Sequence, residues 1–325
     1  MATNGMEFEK AIVQLEKKIE ELRKFTDEKK IDFSEEIKKL ETKAEELKKE
    51  VYQNLTAWRR VLVSRNLNRP RTLDYISRIF EDFLELHGDR AFRDDPAVIG
   101  GLAKFEGESV VIVGFQKGKD TKDSVVRNFG MANPEGYRKA IRLMKMAEKF
   151  QRHIISFVDT PAAYPGIGAE ERGQALAIAE NLRDMSAISV PIIVIVHGEG
   201  GSGGALGIAI GDKIFMLENA VYSVIPPEGC AAILWKDSSK AEQAAEFLKL
   251  TSKDLLKFGV IDAIIPEPLG GAHRNYDKAA EEIKKVIKEN LAELKLLSKD
   301  ELVKKRYLKF RKMGEYTVKQ TITTD

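Results

Sequence analysis

Apolar residues recur at Phe8, Ile12, Leu15, Ile19 and Leu22, and again at Ile37, Leu40, Ala44, Leu47 and Val51, with Glu and Lys filling most positions between them. Steps of three and four residues put each set on one narrow helical stripe. The pattern predicts two helices folded into a hairpin or short coiled coil, with Asp32 and Glu35, three places apart, capping the second helix. A single stripe on each of two helices stabilises the pair only weakly, so the hairpin should pack on something larger.

The pattern changes between Ala97 and Gly271, where short apolar runs alternate with helical periodicity. Val98 to Phe105 and Ser109 to Gln116 read as strands around a Glu106-Gly107 turn, and Pro134 to Phe150 as a helix. Ile154 to Val158 is then a strand, Ala169 to Met185 a helix, Pro191 to Val196 a strand and Gly203 to Ile210 a short helix, followed by strands at Ile214 to Leu217 and Val221 to Ile225. Near-continuous apolar strands separated by helices signify buried, mostly parallel sheets, so the core is α/β. Beyond Asp277 a helical pattern returns, with Ile283, Val286, Ile287, Leu291 and Leu294. Twelve basic residues face six acidic ones from Lys278 to Lys312, which reads as a solvated helix face rather than a nucleic-acid arm.

Composition narrows the function classes. Over 325 residues, 53 Lys and Arg balance 51 Asp and Glu, leaving too little basic excess for a dedicated nucleic-acid binder. Hydrophobic residues at 43% are too many for a disordered chain. The lone cysteine, Cys230, excludes an internal disulfide and a Cys-rich zinc site, and it points to a reducing compartment. No apolar run approaches the ~20 residues that span a bilayer, and the N-terminus lacks the apolar stretch of a signal peptide, so a soluble, cytoplasmic protein is expected. One local imbalance remains: Arg59, Arg60, Arg65, Arg69, Arg71 and Arg78 are opposed only by Asp74, either as a solvated or partner-facing surface or as contacts for an anionic cofactor.

The segment from His197 to Gly207, HGEGGSGGALG, supports three chemistries. Gly198, Gly200 and Gly203 fit a dinucleotide-binding turn, but the acidic Glu218 follows Gly203 sooner than the ~20 residues that unit requires. Gly200 to Gly204 fits the turn that exposes a nucleophilic serine, Ser202, with His273 and either Asp237 or Asp262 to complete a triad. The third needs no side chain: glycines after a strand let a ligand approach the main chain, and the free N–H groups of Gly203 and Gly204 would form an oxyanion hole. A tight turn without function is the remaining reading.

Several segments then converge on one family. FVDTPAAYPG from Phe157 to Gly166, followed by a helix and HGEGGSGG, resembles the carboxyltransferase α subunit of multi-subunit acetyl-CoA carboxylase. Gln116 to Lys122, Arg127 to Met131, Pro134 to Lys139, Pro227 to Cys230 and Ile233 to Lys236 match the same family, and Gly259 to Pro266 is similar to a wider crotonase-like signature. The likeness covers nearly the whole chain. Two positions depart from it: the family usually has Gly at Ala162 and often Ser at Pro226.

The resemblance implies a crotonase-like spiral of strand-helix units with an N-terminal helical hairpin and a C-terminal helical extension. It divides the chain into a helical arm (1–56), Arg-rich connecting helices (57–96), the carboxyltransferase core (97–271) and the extension (272–325). It implies transfer of the carboxyl group of carboxybiotin, carried on a biotin carboxyl carrier protein, to acetyl-CoA, giving malonyl-CoA. The partner would be a β subunit with a zinc ribbon, in an assembly of two α and two β chains, with no metal in this chain. Gly203 and Gly204 would be catalytic, and Gly200, Gly201, Ala162, Ala163, Tyr164, Gly166 and Glu199 would bind substrate, with Asp159 lining or holding the pocket. Two alternatives stay open: an independent crotonase-type acyl-CoA hydrolase or hydratase, and a silent scaffold. Hydratases commonly place a carboxylate near the thioester, and Ala205, Leu206, Gly207 and Ile208 offer none. Met144-Lys145-Met146 copies the flanks of a biotinylated lysine but falls inside an expected helix, not the exposed turn a swinging arm needs.

Overall fold

The computed structural model describes residues 6–29 and 32–314. Among these, one sheet contains β1 (Glu81–Glu85), β2 (Val98–Phe105), β3 (Glu108–Phe115), β4 (His153–Thr160), β5 (Ile192–Gly201), β6 (Lys213–Leu217), β7 (Val221–Ser223) and β8 (Ala263–Ile265). Their spatial order is β1-β2-β3-β4-β5-β6-β8, with β7 pairing beside the end of β5. The first three strands are antiparallel, and pairing is parallel from β3 onward. Glu106 and Gly107 link β2 to β3 with φ of 50° and 81°, the left-handed pair that fits a tight hairpin to the twist of its strands.

Helices α1 (Lys10–Lys29), α2 (Ser34–Gln53), α3 (Ala57–Ser64) and α4 (Thr72–Ile79) precede the sheet. Helices α5 (Thr121–Val126) and α6 (Pro134–Lys149) connect β3 to β4, α7 (Ile167–Glu171) and α8 (Gln174–Ala187) connect β4 to β5, and α9 (Ser202–Leu206) leads from β5 towards β6. Helices α10 (Pro227–Trp235), α11 (Ala241–Leu248) and α12 (Ser252–Lys257) lie between β7 and β8, and α13 (Tyr276–Leu294) and α14 (Lys299–Arg311) follow. Ile192 to Val196 of β5 are wholly buried, as a central parallel strand covered on both faces must be. Pro134 opens α6, where its fixed φ and missing N–H cost nothing, and Tyr137, Ala140, Leu143, Met144 and Ala147 form its buried face.

The α/β core is as expected, with local differences. The helix read from Ala169 to Met185 is two helices, because Gly173 turns the chain at φ +82°. The helix read from Gly203 to Ile210 ends at Leu206, and the last strand before α10 stops at Ser223. Asp32 does not cap α2 in a reciprocal box; Phe33 holds the cap position and Asp32 accepts the Ser34 N–H at 2.9 Å. The hairpin of α1 and α2 is joined by Lys48–Glu16 and Arg23–Glu41 pairs, and its base docks on the body through Met6, Ile12, Tyr52, Leu55 and Val63. Lys145 lies within α6, paired with Asp184.

The largest correction concerns the arginines. Arg60, Arg69 and Arg71 are only 3%, 1% and 4% exposed, so they form neither a solvated surface nor a cofactor patch. Arg69 makes a two-pronged bond to the buried Glu267, and Arg60 donates to Asn219 Oδ1 at 2.7 Å. The basic C-terminal face is likewise not wholly solvated. Arg306 of α14 is buried against Asp212 and donates to the carbonyls of Met185, Ile188 and Val190, and Ile283, Ile287 and Leu291 of α13 lie in the core.

Candidate active site

The site begins as an irregularity between two strands. Residues of β4 and β5 pair in step from Ile154 with Ile192 to Val158 with Val196, but the next pair is Thr160 with Gly200. The intervening His197, Gly198 and Glu199 bow out of the ladder as a bulge, so their main-chain groups need other partners. Asp159 Oδ1 accepts the Glu199 N–H at 2.9 Å, and Arg69 Nε donates to the His197 carbonyl at 2.7 Å. Any Cβ at position 198 would strike the Asp159 carboxylate, which explains Gly198.

Charges fill the space around the bulge. Lys117 Nζ lies 2.6 Å from Asp159 Oδ1 and 2.8 Å from Glu199 Oε2. Arg71 approaches Asp159 at 3.7 Å, and Arg65 bridges Glu199 at 2.6 Å to Glu228 at 2.5 Å. Burial works against the charged form of Asp159, but Lys117 and Arg71 outweigh it and hold its carboxyl well below the usual range. Glu199 is lowered in the same way, burial opposed by Lys117 and Arg65. Burial pushes the ring of His197 down to about 4, so it is neutral at pH 7.

Above this layer, two loops leave the ends of β4 and β5 and touch. A Cβ at Gly201 would strike the Pro161 carbonyl, and one at Gly204 would strike the main chain of Ala162 and Ala163, so only glycine permits the approach. The N–H groups of Gly203 and Gly204 belong to the first turn of α9, where no intrahelical acceptor exists. Among the described residues neither has a hydrogen-bond partner, and nor does the N–H of Ala163 on the facing loop. The space beside Gly203 is open: nothing lies within 4 Å of where its Cβ would be. It lines a groove of about 270 Å³ with Ser202, Leu206, Tyr222, Val224 and Val260, and no Asp, Glu, His, Lys, Arg or Cys lines that groove.

The expected site residues therefore separate. Gly203, Gly204 and Ala163 come together as free main-chain donors. Ala162 does not join them, because its N–H is turned onto Thr160 Oγ1 at 3.3 Å; its φ is not positive, so Ala is accommodated there without a glycine-only backbone. Gly200 and Gly201 are buried in β5 beside a crevice of about 20 Å³, where they make room for the Tyr222 ring and the Pro161 carbonyl. Tyr164 is anchored by its N–H to the Ala132 carbonyl, and its ring covers Gly166, whose missing side chain makes room for it. Glu199 is a member of the ionic layer, tied by two cations, and does not face the groove.

The side-chain readings fail on geometry. His273 lies against Gly271 and Val63, Asp262 is held by the Ile214 N–H and Lys309, and Asp237 caps Ser239, so no triad assembles on Ser202. The dinucleotide turn fails because Gly198 is packed on Asp159 and Gly200 is paired within the sheet. Sequence reasoning missed the roles of Lys117 and Tyr137; the latter donates its hydroxyl to the Gly204 carbonyl at 3.2 Å and steadies the turn from below. Among the described residues no cluster of His, Cys, Asp and Glu could hold a metal, and no helix is long and apolar enough to cross a membrane.

A mostly parallel sheet with helical crossovers and bare amides where two strands end is the crotonase-like fold, and solved structures share it. The chain is similar to transcarboxylase 12S with a TM-score of 0.53 and 22% identity, covering 66% of this chain and 41% of that one. It is similar to the geranyl-CoA carboxylase β subunit of P. aeruginosa (TM-score 0.55, 14% identity, 81% and 48% covered) and to a chain of a Pseudomonas malonate decarboxylase hetero-tetramer (0.55, 16%, 65% and 85%). This chain thus spans less than half the length of the first two. Sequence comparison is more specific. A family model described as acetyl co-enzyme A carboxylase carboxyltransferase-like matches residues 5–314, and the chain belongs to that family. Curated relatives named acetyl-coenzyme A carboxylase carboxyl transferase subunit alpha include that of Geobacter metallireducens, 57% identical over 311 residues (96% of this chain, 98% of the relative). That of Fusobacterium nucleatum is 58% identical over 311 residues (96% and 99%).

Proposed function

We propose that this chain is the α half of a two-chain carboxyltransferase that moves a carboxyl group from carboxybiotin to acetyl-CoA, forming malonyl-CoA, the first committed step of fatty acid synthesis. The observation that carries this reading is the pair of unpartnered main-chain amides at Gly203 and Gly204, in the first turn after β5, with Gly203 lining an open groove without acid or base. Carboxybiotin, on a separate carrier protein, would supply the carboxyl group and the base for the methyl proton of acetyl-CoA, with its ureido oxygen held at the Gly203 and Gly204 amides. What this chain must supply is stabilisation of that oxygen, and the Gly203 and Gly204 amides fit it as fixed donors. One such donor is worth about 3 kcal/mol of barrier. The ionic layer and Tyr137 keep the donors in place.

A hydratase needs a free carboxylate at the thioester. The nearby carboxylates, Asp159 and Glu199, are instead bound by Lys117, Arg71 and Arg65. The rest of the acetyl-CoA site belongs to a β chain bearing the zinc ribbon, in a cytoplasmic assembly of two α and two β chains served by a biotin carboxyl carrier protein. The test is reconstitution. This chain alone should turn over no acyl-CoA, and adding the β chain and a carboxylated biotin donor should yield malonyl-CoA. Acyl-CoA hydrolysis or hydration by the isolated chain would overturn the reading.

A further inference from the structure

The bulge in β5 sets how far the Ser202–Gly204 turn is carried past the end of β4, and hence where its donor amides lie. Asp159 sits two residues before the Pro161–Ala163 loop, and Glu199 sits three residues before Ser202. Each carboxylate has a cation of its own on the outside, Arg71 for Asp159 and Arg65 for Glu199. Among the described residues only Lys117 reaches both, at 2.6 and 2.8 Å, and its side chain is 12% exposed. It lies two residues past the end of β3, and the intervening Gln116 is tied by its N–H to the Ala97 carbonyl at 2.9 Å. Beneath it, the carbon chain of Lys117 packs on Gly130, where a side chain would collide with it.

We propose that Lys117 is a positioning residue for carboxyl transfer: by clamping Asp159 of β4 to Glu199 of β5, it fixes the turn that presents the Gly203 and Gly204 amides against the Pro161–Ala163 loop on which Gly204 packs. This rests on the functional reading above and adds to it a residue that touches no substrate. Without the ammonium the two carboxylates repel across the bulge and the turn shifts, while the groove wall opposite it, formed by Tyr222, Val224 and Val260, stays in place. Ground-state binding should therefore persist while the transition-state anion loses its paired donors.

The experiment compares Lys117→Met, Lys117→Arg and the control Lys139→Met in the complex assembled with the β chain. Lys139 is a fully buried lysine bound to Asp94 away from the groove, so its loss reports on general stability. A misplacement of about 1 Å costs on the order of 100-fold, so Lys117→Met should lower kcat by about 30-fold or more with KM changed less than about threefold. Lys117→Arg keeps the charge on a larger head and should recover most of that loss, remaining about 3- to 10-fold below wild type. Lys139→Met should lower the unfolding midpoint but leave the kcat of assembled complex near wild type. Wild-type kcat in Lys117→Met, a loss lying wholly in KM, or an equal kcat loss in Lys139→Met would overturn the proposal. Should the Met variant fail to assemble, Lys117→Gln takes its place, and wild-type kcat in that complex would overturn the proposal. Because the wild-type complex is assayed alongside, its failure to carboxylate would sink the functional reading instead.

Discussion

The turn at Gly203 and the ionic layer below it lie within a few residues of each other and are built of opposite materials. The turn presents main chain to an open groove and carries no charged side chain, whereas the layer packs Arg69, Arg71, Lys117, Asp159 and Glu199 in the interior. Ionisable groups usually mark the reacting centre, but here they are consumed by one another and by the bulge. In the proposed reaction the chemistry falls to N–H groups left over when a strand ends. What the contrast teaches is a division of labour: charges hold the frame and the frame aims dipoles.

The division can be broken from either side. Arg69→Met should have the largest effect on folding, since it strands the buried Glu267 and removes the donor to the His197 carbonyl. A loss of about 3–5 kcal/mol in urea unfolding is expected. Acid should act on the same layer. His197 titrates at about 4 in the folded chain because burial disfavours its charged form, and His273 does so for the same reason, against ~6.5 when unfolded. The unfolded chain therefore binds protons that the folded one refuses. Stability from these groups is complete above about pH 6.5 and is lost as pH falls towards 4, about 2 kcal/mol per histidine between pH 7 and 5. Unfolding at the two pH values measures this, and His197→Gln should remove about 2 kcal/mol of the dependence.

On the turn, Gly204→Ala should cost about 1–3 kcal/mol because its methyl meets the main chain of Ala163, while Gly203→Ala should leave stability unchanged in the same unfolding assay. The smallest effect expected is that of Tyr137→Phe, which deletes only the bond to the Gly204 carbonyl and should cost about 1 kcal/mol with the ring still packed. Equal losses at Gly203 and Gly204 would erase the distinction between an open donor and a packed hinge.

Much of this was legible in the chain. The central strands announce themselves as apolar runs, and the Gly203-Gly204 amides follow from a glycine stretch after a strand. β1 was not legible, because Glu81–Glu85 is an edge strand with little of its surface buried, nor was β8, which has three residues. The arginine cluster misled for a different reason. Local charge counts see only Asp74 nearby, whereas Arg69 finds Glu267 198 residues away and Arg65 finds Glu199 134 residues away. The bulge was invisible because His197-Gly198-Glu199 reads as the start of a turn, and only pairing with β4 shows it lies within a strand. The direction of the Ala162 amide was not legible either, because a family motif gives position, not which way an N–H points, and here it faces Thr160 Oγ1.

Whether main-chain donors or a side chain does the work is decided by one paired assay of carboxyl transfer in the assembled complex. Gly203→Val places its methyls in open space, so unfolding and assembly should be unchanged while kcat falls by about 100-fold or more, and Ser202→Ala, which deletes the hydroxyl of the turn, should stay within about threefold of wild type. A fully active Gly203→Val complex, or a Ser202→Ala complex that is inactive, would contradict catalysis by the bare amides.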